Sequence, residues 1–135
     1  MVEHYPFLKE QGYRVICIDR DRVSGSGTIW HHLPHGAEDM TGQIPLSERA
    51  RWLRHASFFI GLSSGLSWLA WAAGCPVVLI SGFTEPYNEF ATPYRVINRN
   101  VCNGCSNDIT LISSGQITCG VHAMPTASAI SSVPR

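Results

Sequence analysis

No stretch of the 135-residue chain is apolar for the roughly 20 residues a bilayer-spanning helix needs. No basic region followed by an apolar one opens it, so no secretory signal is expected and the reading is a cytoplasmic protein. Neither charge sign is in excess: Lys+Arg is 10, Asp+Glu is 10, and the formal net charge is +0. The broad basic field of a nucleic-acid binder is therefore missing. The chain also lacks a Walker A loop, a G-x-G-x-x-G fingerprint and any internal repeat. Its cysteines are 5, an odd number that argues against a simple disulfide framework. Cys17 and Cys75 sit in apolar stretches and read as small core residues. Residues 109–134 contain no Asp, Glu, Lys or Arg, no aromatic residue and no convincing periodicity. That segment does not read as selected to fold with the rest.

What remains is enough for one domain of ordinary size, with 44% hydrophobic residues to build a core. Residues 6–11 read as a short helix stopped by Gly12. Residues 13–19 read as a buried strand ending in Asp19. The stretch 20–39, rich in Gly, His and Asp, reads as loop. Residues 47–55 read as a helix with Trp52 and Leu53 on its apolar face. A second strand covers 58–62 and a tight turn 63–65. A helix at 66–73, apolar nearly all round, is expected to be buried and to end at Gly74. Strands follow at 77–80 and 94–97. Near-continuous apolar strands alternating with helices predict an α/β fold with a parallel sheet covered on both faces, half of a doubly wound architecture.

The turn Ser63-Ser64-Gly65 stands where a strand runs into a helix. The first N–H groups of a helix are unpaired, and the macrodipole adds partial positive charge there. Ser63, Ser64 and Ser67 add hydroxyls, and Gly65 lets a phosphate approach the backbone closely. Ligands of open α/β sheets sit at the carboxyl ends of strands, where this turn lies. The plain alternative is a strand–helix connection with Ser64 as N-cap. Gly82-Phe83-Thr84-Glu85-Pro86 follows the next strand, and Thr84 is placed to bond a sugar or phosphate; read alone it is an ordinary turn.

Cys102-Asn103-Gly104-Cys105 is a C-x-x-C knuckle whose two thiolates can face one metal, with the glycine permitting a sharp turn. Cys119 is a candidate third ligand and His122 a fourth. Zinc, iron and redox chemistry share the spacing, so it names no metal, and two free thiols in a loop remain the alternative. His31, His32 and His35 beside Trp30 lack a fixed scaffold and read as loop residues. Trp68 and Trp71, at i and i+3, read as core. Arg51 and Arg54 read as a solvated helix face. Asp19 could meet a ribose hydroxyl; none of Asp19, Asp39 and Glu85 reads as catalytic.

These cues occur in one order: Thr41-Gly42, a helix with Arg51 and Leu53, the run from Ala56 to Val78 containing Ser63-Ser64-Gly65-Leu66, then Gly82 to Pro86. In that order residues 1–108 resemble the C-terminal domain of ADP-heptose glycosyltransferases of GT-B fold. Among them they are most similar to bacterial autotransporter O-heptosyltransferases. The resemblance implies a Rossmann-like, donor-binding half of a two-domain enzyme. Such an enzyme transfers heptose from ADP-heptose to serines of an autotransporter adhesin. It implies donor contacts at Ser63, Ser64, Gly65, Leu66 and Thr84, with Thr41 and Gly42 near the adenine. It implies iron held by four cysteines, of which Cys102, Cys105 and Cys119 are the three present. It is compatible with a homo-oligomer of the intact member. General heptosyltransferases carry Asp where Ser63 stands and His where Trp68 stands, so only backbone contacts carry over directly. The acceptor site and proposed catalytic base belong to an N-terminal domain for which these residues leave no room.

The chain thus divides into a donor domain, 1–108, and a poorly specified tail, 109–135. The abrupt loss of charge suggests a tail read out of frame, which would make Cys119 fortuitous. Two other readings stand beside the enzyme part: a binding-only nucleotide module and a non-functional remnant of a disrupted gene.

Overall fold

A computed structural model describes residues 4–26, 29–82, 84–101, 103–104 and 130–133. Helix α1, His4–Glu10, ends before Gly12, and strand β1, Arg14–Cys17, follows. The predicted loop at 20–39 instead holds a hairpin, β2 (Val23–Ser26) on β3 (Ile29–His32), and a short strand β4, Glu38–Asp39. Then come α2 (Leu46–Arg54), β5 (Phe59–Leu62), α3 (Gly65–Ala72), β6 (Val77–Ser81), a 3-10 turn at Pro86–Asn88 and β7 (Tyr94–Ile97). Strand β8, Ile130–Val133, lies in the segment where no element is expected.

The main sheet has the order β4-β1-β8-β5-β6-β7. Strands β1 and β4 pair in parallel, as do β5 with β6 and β6 with β7. Strand β8 lies antiparallel between β1 and β5. Five strands therefore share one direction, and their carboxyl ends lie along one edge. The α/β architecture and its parallel pairs agree with expectation; the single antiparallel strand is the departure.

Burial follows the sheet's logic. Val15, Ile16, Cys17 and Ile18 are all buried, so β1 is covered on both faces. In β5 and β6 buried residues alternate with half-buried ones. Phe59, Val77 and Leu79 meet Leu53 of α2 and Ala70 of α3 in one cluster with Ile16, Ile18, Cys75 and Phe90. Helix α3 lies so close to β5 that a Cβ on Gly61 would stand 2.5 Å from Phe59 Cε1 and 2.9 Å from Ser67 Oγ. Its end is set by Gly74, at φ +79, a conformation that only glycine adopts without strain.

Helix α3 is not buried all round, contrary to expectation. Trp68 is 42% and Trp71 48% exposed. Trp68 meets Phe90 edge to face and Trp71 stacks on it, with ring centroids 5.1 and 5.7 Å away, and the rest of both side chains meets solvent. An apolar period marks what a helix can bury; among the described residues no second layer covers this side. Arg51 and Arg54 are exposed, as read from the sequence, and so are His32 and His35.

Candidate functional site

Two groups of turns occupy the carboxyl edge. The first follows β5 and β6. Ser64 is the N-cap of α3 by backbone position, φ −139 and ψ 170, but its hydroxyl makes no capping bond. The first helical bond is Trp68 N–H to Ser64 C=O at 3.2 Å, so the amides of Gly65, Leu66 and Ser67 precede the ladder. Gly65 is exposed, has no left-handed φ, and a Cβ there would meet nothing within 4 Å. Nothing inside the protein therefore requires glycine at this position. Ser67 departs from expectation: fully buried, it donates its hydroxyl back to Leu62 C=O and adds no donor to the turn.

Facing this turn is the loop after β6. The hydroxyls of Thr84 and Ser63 lie 2.9 Å apart. Thr84 also donates to Glu89 Oε1 at 2.6 Å. No local signal in the sequence marks Glu89, yet its side chain is 0% exposed. Its second oxygen accepts the Ser81 hydroxyl and pairs with Arg95 Nη1 at 3.3 Å. Arg95 Nη2 donates to Phe90 C=O at 2.8 Å, which fixes the fork. Buried charge survives when paired and fully hydrogen-bonded, and this carboxylate is. Glu89 carries no local signal of burial in sequence and Arg95 stands in an expected strand; only the tertiary fold draws the two together.

The second group follows β1 and β4. Thr41 donates both its amide, at 3.1 Å, and its hydroxyl, at 2.7 Å, to Asp39 Oδ1. Those bonds, the hydroxyl's foremost and with help from Arg22, hold the Asp39 carboxyl below the usual carboxylate range. Arg49 of α2, only 7% exposed, binds the two loops together: Nη2 donates to Asp19 C=O at 3.2 Å and to Gly42 C=O at 2.5 Å. Its Nε is buried and unpartnered. No local signal in the sequence marks Arg49 either, because an arginine on an amphipathic helix usually faces water. Thr41 and Gly42 thus lie on the same edge as Ser63, Ser64, Gly65, Leu66 and Thr84, but at the end of a strand separated from β5 by β1 and β8.

Cys102, Cys105, Cys119 and His122 lie outside the described residues. Between the first two, Gly104 turns at φ +76 and donates its amide to Gly82 C=O at 2.9 Å. Gly104 is therefore tied to the loop that carries Thr84. A Cβ on Gly104 would stand 1.9 Å from Glu85 Oε1. Among the described residues no group of three or more His, Cys, Asp and Glu could hold a metal, and no helix is long and apolar enough to cross a membrane.

A mostly parallel α/β sheet with an open helix N-terminus and hydroxyl-bearing turns on its carboxyl edge defines a Rossmann-like class of domain. Residues 6–113 match glycosyltransferase family 9 (heptosyltransferase), and the chain belongs to that family. It is 66% identical over 99 residues to the autotransporter heptosyltransferase Aah of Escherichia coli, an alignment covering 73% of this chain and 25% of Aah. Its fold is similar, at TM-score 0.74 and 61% identity, to the crystal structure of TibC from enterotoxigenic E. coli H10407, described as an iron-containing dodecameric glycosyltransferase. That match covers 78% of this chain and 29% of TibC. A second TibC structure, matched equally well, holds ADP-D-beta-D-heptose. The chain spans about a quarter of the length of the curated relatives it matches.

Proposed function

We propose that this chain is the donor-binding part of a GT-B glycosyltransferase that transfers heptose from ADP-heptose to serine hydroxyls of an autotransporter adhesin. The observation that carries the reading is the open turn at 63–66. Its amides point out of the N-terminus of α3, Ser64 leaves them uncapped, and Gly65 keeps the approach clear. Such a terminus suits a diphosphate and stabilises it as it departs. Thr41 and Gly42 would border the adenine, and Asp19 a ribose hydroxyl. The TibC complex with ADP-heptose supports the ligand class.

Donor binding is one half of the task. Transfer also needs an acceptor and a base held in line with the sugar, and no residue of this edge is assigned to either, so the chain is proposed to be inactive alone. The proposed boundary falls near residue 108, with 109–135 as a poorly specified tail that nonetheless lends strand β8 to the main sheet. The proposed location is the cytoplasm, and the intact enzyme would self-associate. Cys102 and Cys105 stand in sequence on either side of Gly104, which has a left-handed φ and is anchored to Gly82 C=O, and their C-x-x-C spacing is that of a two-thiolate knuckle. With Cys119 they would supply part of an iron site, and the resemblance calls for one thiolate more.

A second reading, a non-functional remnant, is favoured by one observation: Trp68 and Trp71 leave an apolar face in solvent. Calorimetric titration with ADP separates the two. Saturable binding that disappears in Gly65→Trp, with the fold retained by circular dichroism, is expected. Absence of binding by the folded chain would overturn the donor reading and leave the remnant.

A further inference from the structure

We infer that Glu89 sets the hydrogen-bond polarity of Ser63, making its Oγ a fixed acceptor for a hydroxyl of the donor's sugar. The inference deepens the donor-site reading and rests on it. The argument is a count of protons. The Glu89 carboxylate is paired with Arg95 and can only accept. Its two oxygens receive Ser81 and Thr84. The single hydroxyl proton of Thr84 is therefore committed to Glu89 at 2.6 Å, the shorter and charge-assisted bond. Thr84 Oγ1 and Ser63 Oγ remain 2.9 Å apart, and a bond between them needs one proton on the line. Thr84 has none left, so Ser63 supplies it. Ser63 then has only lone pairs to offer on its other side.

Ser63 therefore does not serve as a hydroxyl donor to phosphate, the role its sequence suggests. The amides of Gly65 and Leu66 provide donors for the anion; Ser63 provides an acceptor beside them. A group linked to a diphosphate and rich in O–H donors, a sugar, fits that pairing, and an unsubstituted diphosphate gains nothing from Ser63. Arg95 completes the device by orienting Glu89 through Oε2, the oxygen that Thr84 does not use. Glu89 is thus a positioning residue, acting through Thr84.

The isosteric change Glu89→Gln tests this because it reverses the relay. Arg95 draws the amide oxygen to its own side and leaves the amide N–H₂ facing Thr84. Thr84 then accepts from Gln, donates to Ser63, and turns the Ser63 proton outward. The full chain is titrated with ADP and with ADP-heptose. Unmodified protein is expected to prefer ADP-heptose by about threefold to tenfold, the worth of one hydrogen bond. Glu89→Gln is expected to lose that preference while binding ADP as before, and Ser63→Ala to lose it too, with no further loss in the double variant. Equal weakening toward both ligands in Glu89→Gln would mark a merely structural carboxylate and overturn the proposal. If Glu89→Gln fails to fold, Ser63→Ala decides: a retained preference overturns it. Equal affinity of the unmodified chain for both ligands also overturns it, whereas no binding of either would instead refute the donor site itself.

Discussion

The turn at 63–66 hangs from a helix packed on two buried strands, whereas the turn at 39–42 hangs from a two-residue strand and is tied down by side chains. On the first side, Gly61 brings α3 against β5 and a fully buried carboxylate joins the loop after β6 to β7. On the second, Asp39 makes a surface turn with Thr41, and one guanidinium reaches across to two carbonyls. Arg14 and Glu38 add a fork at the surface, Nη2 to Oε2 at 2.6 Å, between β1 and β4. Exposed pairs of this kind stabilise little. The comparison teaches that the two halves of one carboxyl edge can be rigid for different reasons. The side proposed for phosphate and sugar is held by packing and buried charge, and the side proposed for the nucleoside by one clamp at Arg49.

Breaking the first side is expected to have the larger effect. Arg95→Ala leaves Glu89 buried without its partner, and unfolding by urea is expected to show a loss of about 3–5 kcal/mol. A loss under 1 kcal/mol would mean that Glu89 is reached by water. Arg49→Met removes the clamp from two carbonyls, with an expected loss of about 1–3 kcal/mol. Because the Arg49 Nε has no partner, part of that charged side chain's burial is uncompensated, and the loss stays below that of Arg95→Ala. The reverse order would invert the comparison.

Two glycines sharpen it within one side. Gly61→Ala drives a methyl into Phe59 and Ser67 and is expected to cost about 1–3 kcal/mol. Gly65→Ala meets open space and is expected to leave the denaturation midpoint unchanged while weakening ADP. If both substitutions destabilise alike, Gly65 serves the fold rather than a ligand.

The smallest expected effect is on pH dependence. Burial pushes the Cys75 thiol up to about 11 and raises that of Cys17 as well. A thiol whose pKa is raised by folding favours the folded state below its ordinary value, 9.0, and loses that advantage as pH rises through the folded one. Stability is therefore expected to decline between about pH 9 and 11. Cys75→Ala is expected to flatten that decline, as followed by thermal melts across the range.

Much of the middle of the chain was legible because its signals are local. The apolar runs of β5 and β6, the cap at Gly74 and the strand at 94–97 all follow from pattern and turn chemistry. The hairpin at 23–32 was not, because its Gly, Ser and His residues are those of loops; the pairing that makes it a strand pair is invisible in either strand alone. Strand β8 carries no periodic signal and exists through the register it finds between β1 and β5. At the site, the backbone turn at Ser63–Gly65 was legible and its hydroxyl polarity was not. That polarity depends on Glu89, which lies 26 positions after Ser63 and is recognisable as buried only once β6 and β7 are paired.

The central claim is that both turn groups serve one nucleotide-sugar. It is tested most directly by following the backbone amide resonances of the isotopically labelled chain as ADP-heptose is added. The account predicts concerted, saturable shifts at 63–66, at Thr84 and at 41–42, with a single affinity. Shifts confined to one group, or scattered away from the carboxyl edge, would contradict it.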